Sequence, residues 1–283
     1  MIFSLPSCST NTSQTPNSKI KVVVSFNAIS ELTKAIGKDK VNVVTIIPNG
    51  TEPHDFEPKI KDFLNFADAK VFVYNGLGVE KWADKAVKSV DNKNLIVVNA
   101  SKGYKAIKSS DQGESEYDPH IWIDIKGALY ESNNIKIALE TADPKNKSYY
   151  EKNYADFKTK LTNIYNEYKV KFDSESNKDF VTGHAAFAYL CNDFNLKQDS
   201  VEDTFAEGEP SANKMSELIS FCKSRNIKTI FVEDMVSPKV SETLAKEVGA
   251  KVKKIYTEES KEDNLDYISA TKKNLENIYE SLK

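Results

Sequence analysis

Of the 39 lysines and arginines in this 283-residue chain, only Arg225 is an arginine. Sites that clamp a carboxylate or phosphate usually draw on the planar guanidinium fork, so this shortage argues against an organic-anion ligand. No uninterrupted apolar run approaches the roughly 18 residues needed to cross a bilayer. The net charge is −3, with acids and bases interspersed. That leaves no basic footprint for nucleic acid, and no nucleic-acid partner is expected. Histidine is also scarce, at three residues, and no His-Glu-x-x-His pair marks a zinc hydrolase.

What is present is ordinary in composition and particular in placement. A hydrophobic fraction of 40% suits a soluble protein, and 283 residues are more than one core usually serves, so two lobes are expected. All three histidines fall in segments punctuated by proline or glycine. His54 lies in Gly50-Thr51-Glu52-Pro53-His54-Asp55-Phe56-Glu57-Pro58, bracketed by two prolines. His120 lies in Asp118-Pro119-His120-Ile121-Trp122-Ile123-Asp124, where the proline disfavours helix for Asp118 and an apolar, β-prone run follows. His184 lies in Val181-Thr182-Gly183-His184-Ala185-Ala186-Phe187, a strand-to-helix turn. A single histidine is more often structural than a ligand, but none of these three sits on a helix face where core packing would put it. Neutral imidazole is the commonest metal ligand, and three of them suit zinc, copper, iron or nickel better than magnesium or calcium. A closed tetrahedral site needs a fourth donor.

The order of elements supports a two-lobe frame. In the first half, Ile20 to Ser25, Val41 to Ile47, Lys70 to Tyr74 and Leu95 to Val98 read as strands. Helical spacing spans Ala28 to Ile36, Ile60 to Phe66 and Val79 to Val90. This alternation predicts a parallel sheet with ligand-carrying loops at its carboxyl ends. Residues 103–119 are polar and acidic and read as a mobile loop ahead of His120. Asp143-Pro144 then opens the longest helix, with Tyr150, Tyr154, Phe157, Leu161, Ile164, Tyr168 and Phe172 forming one apolar stripe to about residue 173. At about 30 residues it would run roughly 45 Å, long enough to connect two lobes. The second half repeats the pattern. Strands are expected at Lys178 to Thr182, Ser200 to Glu202, Thr229 to Glu233 and Val252 to Tyr256. Helices are expected at Ala185 to Phe194, Ser211 to Arg225, Ser237 to Gly249 and Tyr267 to Leu282. Cys191 and Cys222 fall on neighbouring helices; they are expected as two buried thiols, with a disulfide the alternative in an oxidising setting.

Several segments together resemble the metal-specific solute-binding proteins of bacterial ABC transporters, the zinc/manganese family. They are the His54 segment, Asp118-Pro119-His120-Ile121-Trp122, Gly183-His184-Ala185-Ala186-Phe187-Ala188-Tyr189-Leu190, Glu209-Pro210-Ser211, Ile230-Phe231-Val232-Glu233, and Ser237-Pro238-Lys239-Val240-Ser241-Glu242-Thr243-Leu244. The resemblance implies an α/β fold of two lobes with mainly parallel sheets, joined by one long rigid helix, with metal in the cleft between them. In that frame residues 1–18 are a signal remnant and tether, 19–142 the first lobe, 143–174 the connecting helix and 175–283 the second lobe. It makes His54 and His120 first-lobe ligands and His184 a second-lobe ligand. Manganese-type members carry a carboxylate at the position of His184, so histidine there favours Zn2+. Where many members have an aspartate after the final strand this chain has Tyr256, and the position some zinc-binding members use instead is Glu259. Glu258, Glu262 or water remain alternatives for that fourth donor.

The resemblance further implies capture of zinc outside the cytoplasm, delivery to an ABC permease, and no enzymatic activity. It implies a monomer attached to the outer face of the membrane by a lipid on Cys8, since Leu5-Pro6-Ser7-Cys8 is similar to the end of a lipoprotein signal and a polar tether follows it. A manganese-specific member is one alternative. Others are an adhesin, and a zinc hydrolase using Asp55 or Glu57 as base. Residues 103–119 contain no histidine, so the histidine-rich loop of many zinc-type members is missing.

Overall fold

Val22, Val23 and Val24 are fully buried, as are Val71, Phe72 and Val73, so neither strand shows the alternation of a half-exposed sheet. Apolar runs buried on both faces mark a parallel sheet covered by helices. A computed structural model describes residues 19–109, 115–204, 210–235 and 237–283. Its first four strands are β1 (Ile20–Val24), β2 (Val41–Thr45), β3 (Val71–Tyr74) and β4 (Ile96–Asn99), all parallel, in the order β2-β1-β3-β4. A second parallel sheet contains β5 (Asp179–Thr182), β6 (Lys197–Ser200), β7 (Thr229–Val232) and β8 (Lys251–Lys254), in the order β6-β5-β7-β8. The two lobes thus share one topology.

The helices are α1 (Asn27–Gly37), α2 (Ala83–Lys88), α3 (Ile125–Ala142), α4 (Lys147–Ser174), α5 (Ala188–Phe194), α6 (Ala212–Ser224), α7 (Pro238–Val248) and α8 (Tyr267–Leu282). Helix α4 is the connector. Pro144–Asn146 form a 3-10 turn before it, and the helix then runs 28 residues, about 42 Å. Tyr150, Phe157, Leu161, Ile164, Tyr168 and Phe172 are buried along one stripe. At its start Asn153 donates to the Ile36 carbonyl of α1 (2.9 Å). Toward its end Phe172 meets Phe194 of α5 and Tyr279 of α8, with ring centroids 5.2 and 6.1 Å apart. One continuous apolar core therefore runs from β1 through α4 and α8 into the second lobe, where Phe180, Phe187 and Phe231 join it. A smaller cluster around Leu218, Ile230 and Leu244 fills the far side of the second sheet.

Three points of the sequence reading need correction. The run Ile121–Ile123, β-prone by composition, is a buried 3-10 turn. It leads into α3, a helix that the sequence reading does not contain. Asp124 starts that helix by accepting from the backbone N–H groups of Lys126 (2.9 Å) and Gly127 (3.0 Å). The helix expected over Val79 to Val90 shrinks to α2, because Gly76, Leu77 and Gly78 all take positive φ and the chain is still turning through Val79–Trp82. The sixth strand lies at Lys197–Ser200 instead of Ser200 to Glu202. The segment read as a loop at 103–119 is irregular over its described residues, where the Asp118 N–H donates to the Ile107 carbonyl (2.9 Å) and Lys108 bridges Tyr117. The rest of that loop (110–114) lies outside the described residues, as do Cys8 with the tether and Glu209. Cys191 and Cys222 are both buried free thiols.

Candidate metal centre

Four side chains converge where the carboxyl ends of the two sheets face each other. His54 follows β2, His120 follows β4, His184 follows β5 and Glu259 follows β8. This is the position at which open parallel sheets present ligand loops. His120 and His184 are fully buried and Glu259 is 3% exposed. The ring centroids lie 5.1 Å apart for His54 and His120, 6.0 Å for His54 and His184, and 4.8 Å for His120 and His184. Ligand atoms of the three rings lie within 4.8 Å of one another.

Each side chain is held by its surroundings. The Asp118 carboxylate accepts from both the backbone N–H (2.9 Å) and the ring Nδ1 (2.8 Å) of His120. A carboxylate can only accept, so Nδ1 carries the hydrogen and Nε2 is turned inward. His184 faces the Thr204 carbonyl through Nε2 (2.9 Å), which places the hydrogen there and leaves Nδ1 without a hydrogen bond. Its backbone is fixed by Thr182 and Gln198, whose side chains donate to its carbonyl at 2.6 and 2.7 Å. The Glu259 carboxylate is oriented by Thr257, whose hydroxyl donates to Oε2 (2.7 Å). The other oxygen, Oε1, then lies 3.5 Å from His54 Nε2 and 3.6 Å from His120 Nε2, while the two imidazole nitrogens are 3.2 Å apart.

Those three separations test what the group can hold. A tetrahedron with metal–ligand bonds of about 2.0–2.1 Å has edges of roughly 3.3 Å. The triangle of His54 Nε2, His120 Nε2 and Glu259 Oε1 matches one face of it. His184 approaches the same point from the second lobe. The electrostatics agree with a place for a cation. Burial works against a charge on His120, but Asp118 and Glu259 override it and push the imidazole up to about 9. Burial raises Glu259, yet His120 and His54 hold its carboxyl well below the usual range. His184 is pushed down to about 4 by burial and by the neighbouring His120, so it stays neutral.

Residues 22–281 match the family described as zinc-uptake complex component A, periplasmic. The high-affinity zinc uptake system protein ZnuA of Bacillus subtilis (strain 168) is 37% identical over 280 residues, covering 93% of this chain and 88% of the relative. Zinc-binding lipoprotein AdcA of Streptococcus pneumoniae (strain ATCC BAA-255 / R6) is 33% identical over 273 residues, covering 91% of this chain but only 54% of that longer relative. Among solved structures, the laminin binding protein Lmb of Streptococcus agalactiae, described as a bifunctional protein with adhesin and metal transporting activity, superposes with a TM-score of 0.85. It is 36% identical and covers 93% of this chain and 100% of that one. The chain belongs to the zinc-uptake component A family.

Within that family frame, the geometry separates the candidates for the fourth donor. Glu258 points away, accepting from the Thr271 hydroxyl (3.4 Å), and Glu262 pairs with Lys254 (3.3 Å). Only Glu259 of the three stands against the imidazoles. Asp55 and Glu57 are exposed, and among the described residues neither joins His54 in a group spaced to hold a metal ion. Two residues escaped the sequence reading. Asp118 stood in the quoted motif without a role, although an acid two residues before a buried histidine is a signal for an orienting partner. Glu52 accepts from the His54 backbone N–H (3.2 Å) and lies 4.0 Å from His54 Nε2 on the more exposed side. Burial and the Glu259 charge push it up to about 8.

Proposed function

We propose that His54, His120, His184 and Glu259 bind one zinc ion as transported cargo, and that the protein captures zinc outside the cytoplasm and hands it to a membrane permease of the ABC type. The observation that carries this reading is the tetrahedral face formed by two imidazole nitrogens and one carboxylate oxygen, at 3.2, 3.5 and 3.6 Å. Three nitrogens and one oxygen suit zinc better than manganese, which favours oxygen donors and sits lower in the divalent affinity order. Four protein donors also leave no coordination position for an activated water, so the arrangement suits holding a metal rather than hydrolysis. No helix among the described residues is long and apolar enough to cross a membrane. Attachment through a lipid on Cys8 is consistent with the lipoprotein relative.

Competitive titration of zinc against manganese tests the metal assignment, with zinc expected to displace manganese at stoichiometric amounts; equal affinity for the two would overturn it. The likeness to a laminin-binding adhesin supports a second role in attachment to matrix protein. Laminin binding that persists after chelation would support that role, and its absence would remove it.

A further inference from the structure

The loop that carries Glu259 belongs to the second lobe by sequence, since it leaves the end of β8, and Tyr256 and Glu258 bond to Asn274 and Thr271 of α8, but residues 257–261 also make a set of hydrogen bonds to the first lobe. The Trp122 indole donates to the Thr257 carbonyl (2.8 Å). Gly50 N–H donates to the Ser260 hydroxyl (2.9 Å), and Lys261 N–H donates to Asn49 Oδ1 (3.1 Å). Lys261 Nζ reaches Glu31 of α1 at 3.2 Å. The bond closest to the ligand comes from Asn27, the first residue of α1. Its Nδ2 donates to the carbonyl of Glu258 and to that of Ser260, both at 3.1 Å. One buried carboxamide therefore grips the carbonyls of the two residues on either side of Glu259. The backbone there needs holding, because Glu258 sits at φ +62°, a region non-glycine residues enter at a cost.

We propose that Asn27 is the positioning residue for Glu259, and that it makes the carboxylate a functional member of the first lobe. His54, His120 and Glu259 then form one rigid three-donor set, and His184 is the single donor contributed by the second lobe. Opening the cleft removes one imidazole and leaves the other three donors in place. This inference rests on the zinc reading of the site.

The test uses the full chain with Asn27→Leu, which keeps the volume and removes the donors, and Asn27→Asp, which keeps polarity and removes the donors. Both are compared with Glu259→Ala and with each double variant. Zinc affinity by chelator competition, the visible absorption of bound cobalt and the thermal midpoint without added metal are measured on each. Asn27→Leu and Asn27→Asp are each expected to weaken zinc binding about 10-fold or more, within the range for residues that orient metal ligands. Added to Glu259→Ala, either should cost nothing further, and the cobalt spectrum of the Asn27 variants should match that of Glu259→Ala. A purely structural role would lower the midpoint and leave the cobalt spectrum as in wild type. Losses that multiply, or wild-type zinc binding by the Asn27 variants beside a weakened Glu259→Ala, overturn the positioning role alone. Wild-type zinc binding by Glu259→Ala overturns the ligand assignment, and the positioning role with it.

Discussion

At the scale of single residues, the site depends on carboxylates that do not all touch the metal position. Asp118 keeps the hydrogen of His120 on Nδ1 and raises the basicity of the ring. With its pKa raised from the ordinary 6.5 to about 9, His120 is protonated at neutral pH until a cation arrives. Its contribution to the stability of the fold is complete below about 6.5 and is lost as pH rises through about 9. Zinc binding runs the other way, because the ion must displace that proton. Affinity should therefore rise with pH up to about 9, by close to tenfold per unit from this group. Calorimetry at pH 7 in buffers of different ionisation enthalpy should register about one released proton; a buffer-independent heat would contradict it. Asp118→Ala should weaken zinc by about 10- to 100-fold and reduce that proton release, since the ring loses both its orientation and its raised basicity. Unchanged affinity in this variant would remove Asp118 from the site.

How much of the site was legible also resolves at this scale. The histidines could be found because proline or glycine stands beside each, which fixes a loop at the end of a strand. Glu259 was reached by resemblance only; nothing in Thr257-Glu258-Glu259 itself tells which carboxylate turns inward, because that depends on the positive φ at Glu258 and on contacts with the distant Asn27. Glu52 was hidden by ordinary acidity in an exposed-looking loop.

At the scale of elements, local sequence was readable where one face is strongly apolar and obscure where capping decides. The α4 stripe could be read from Tyr150 to Phe172 because its spacing of three and four is sustained along the helix. Helix α3 was not read, because its start is set by the Asp124 side chain capping Lys126 and Gly127 rather than by a clear stripe. Ile121–Ile123, β-prone by composition, form the short 3-10 turn before it. The connector also carries a direct prediction. Phe172 is fully buried and faces Phe194 and Tyr279, so Phe172→Ala should cost about 3–5 kcal/mol. Because its neighbours come from α5 and α8 instead of the metal loops, the zinc affinity of the folded variant should remain near wild type. Denaturant unfolding and zinc titration of the same preparation check both parts. A loss below about 1 kcal/mol would mean that the end of α4 is not packed as described.

At the scale of the whole molecule, the two lobes repeat one strand order and share a continuous core, so the cleft is formed by loops on a stiff frame. The alternation of strands and helices was enough to expect two parallel sheets and a connector between them. It was not enough to expect that the second-lobe loop bearing Glu259 would be fastened to the first lobe, since those contacts join residues more than 200 positions apart. The result is an uneven division of donors, three on one side and His184 on the other. Anomalous diffraction at the zinc edge from zinc-loaded crystals tests this centre most directly. A single peak is expected about 2.0–2.2 Å from His54 Nε2, His120 Nε2, a ring nitrogen of His184 and Glu259 Oε1. A peak elsewhere, or one coordinated without His184 or without Glu259, would contradict the four-donor zinc site.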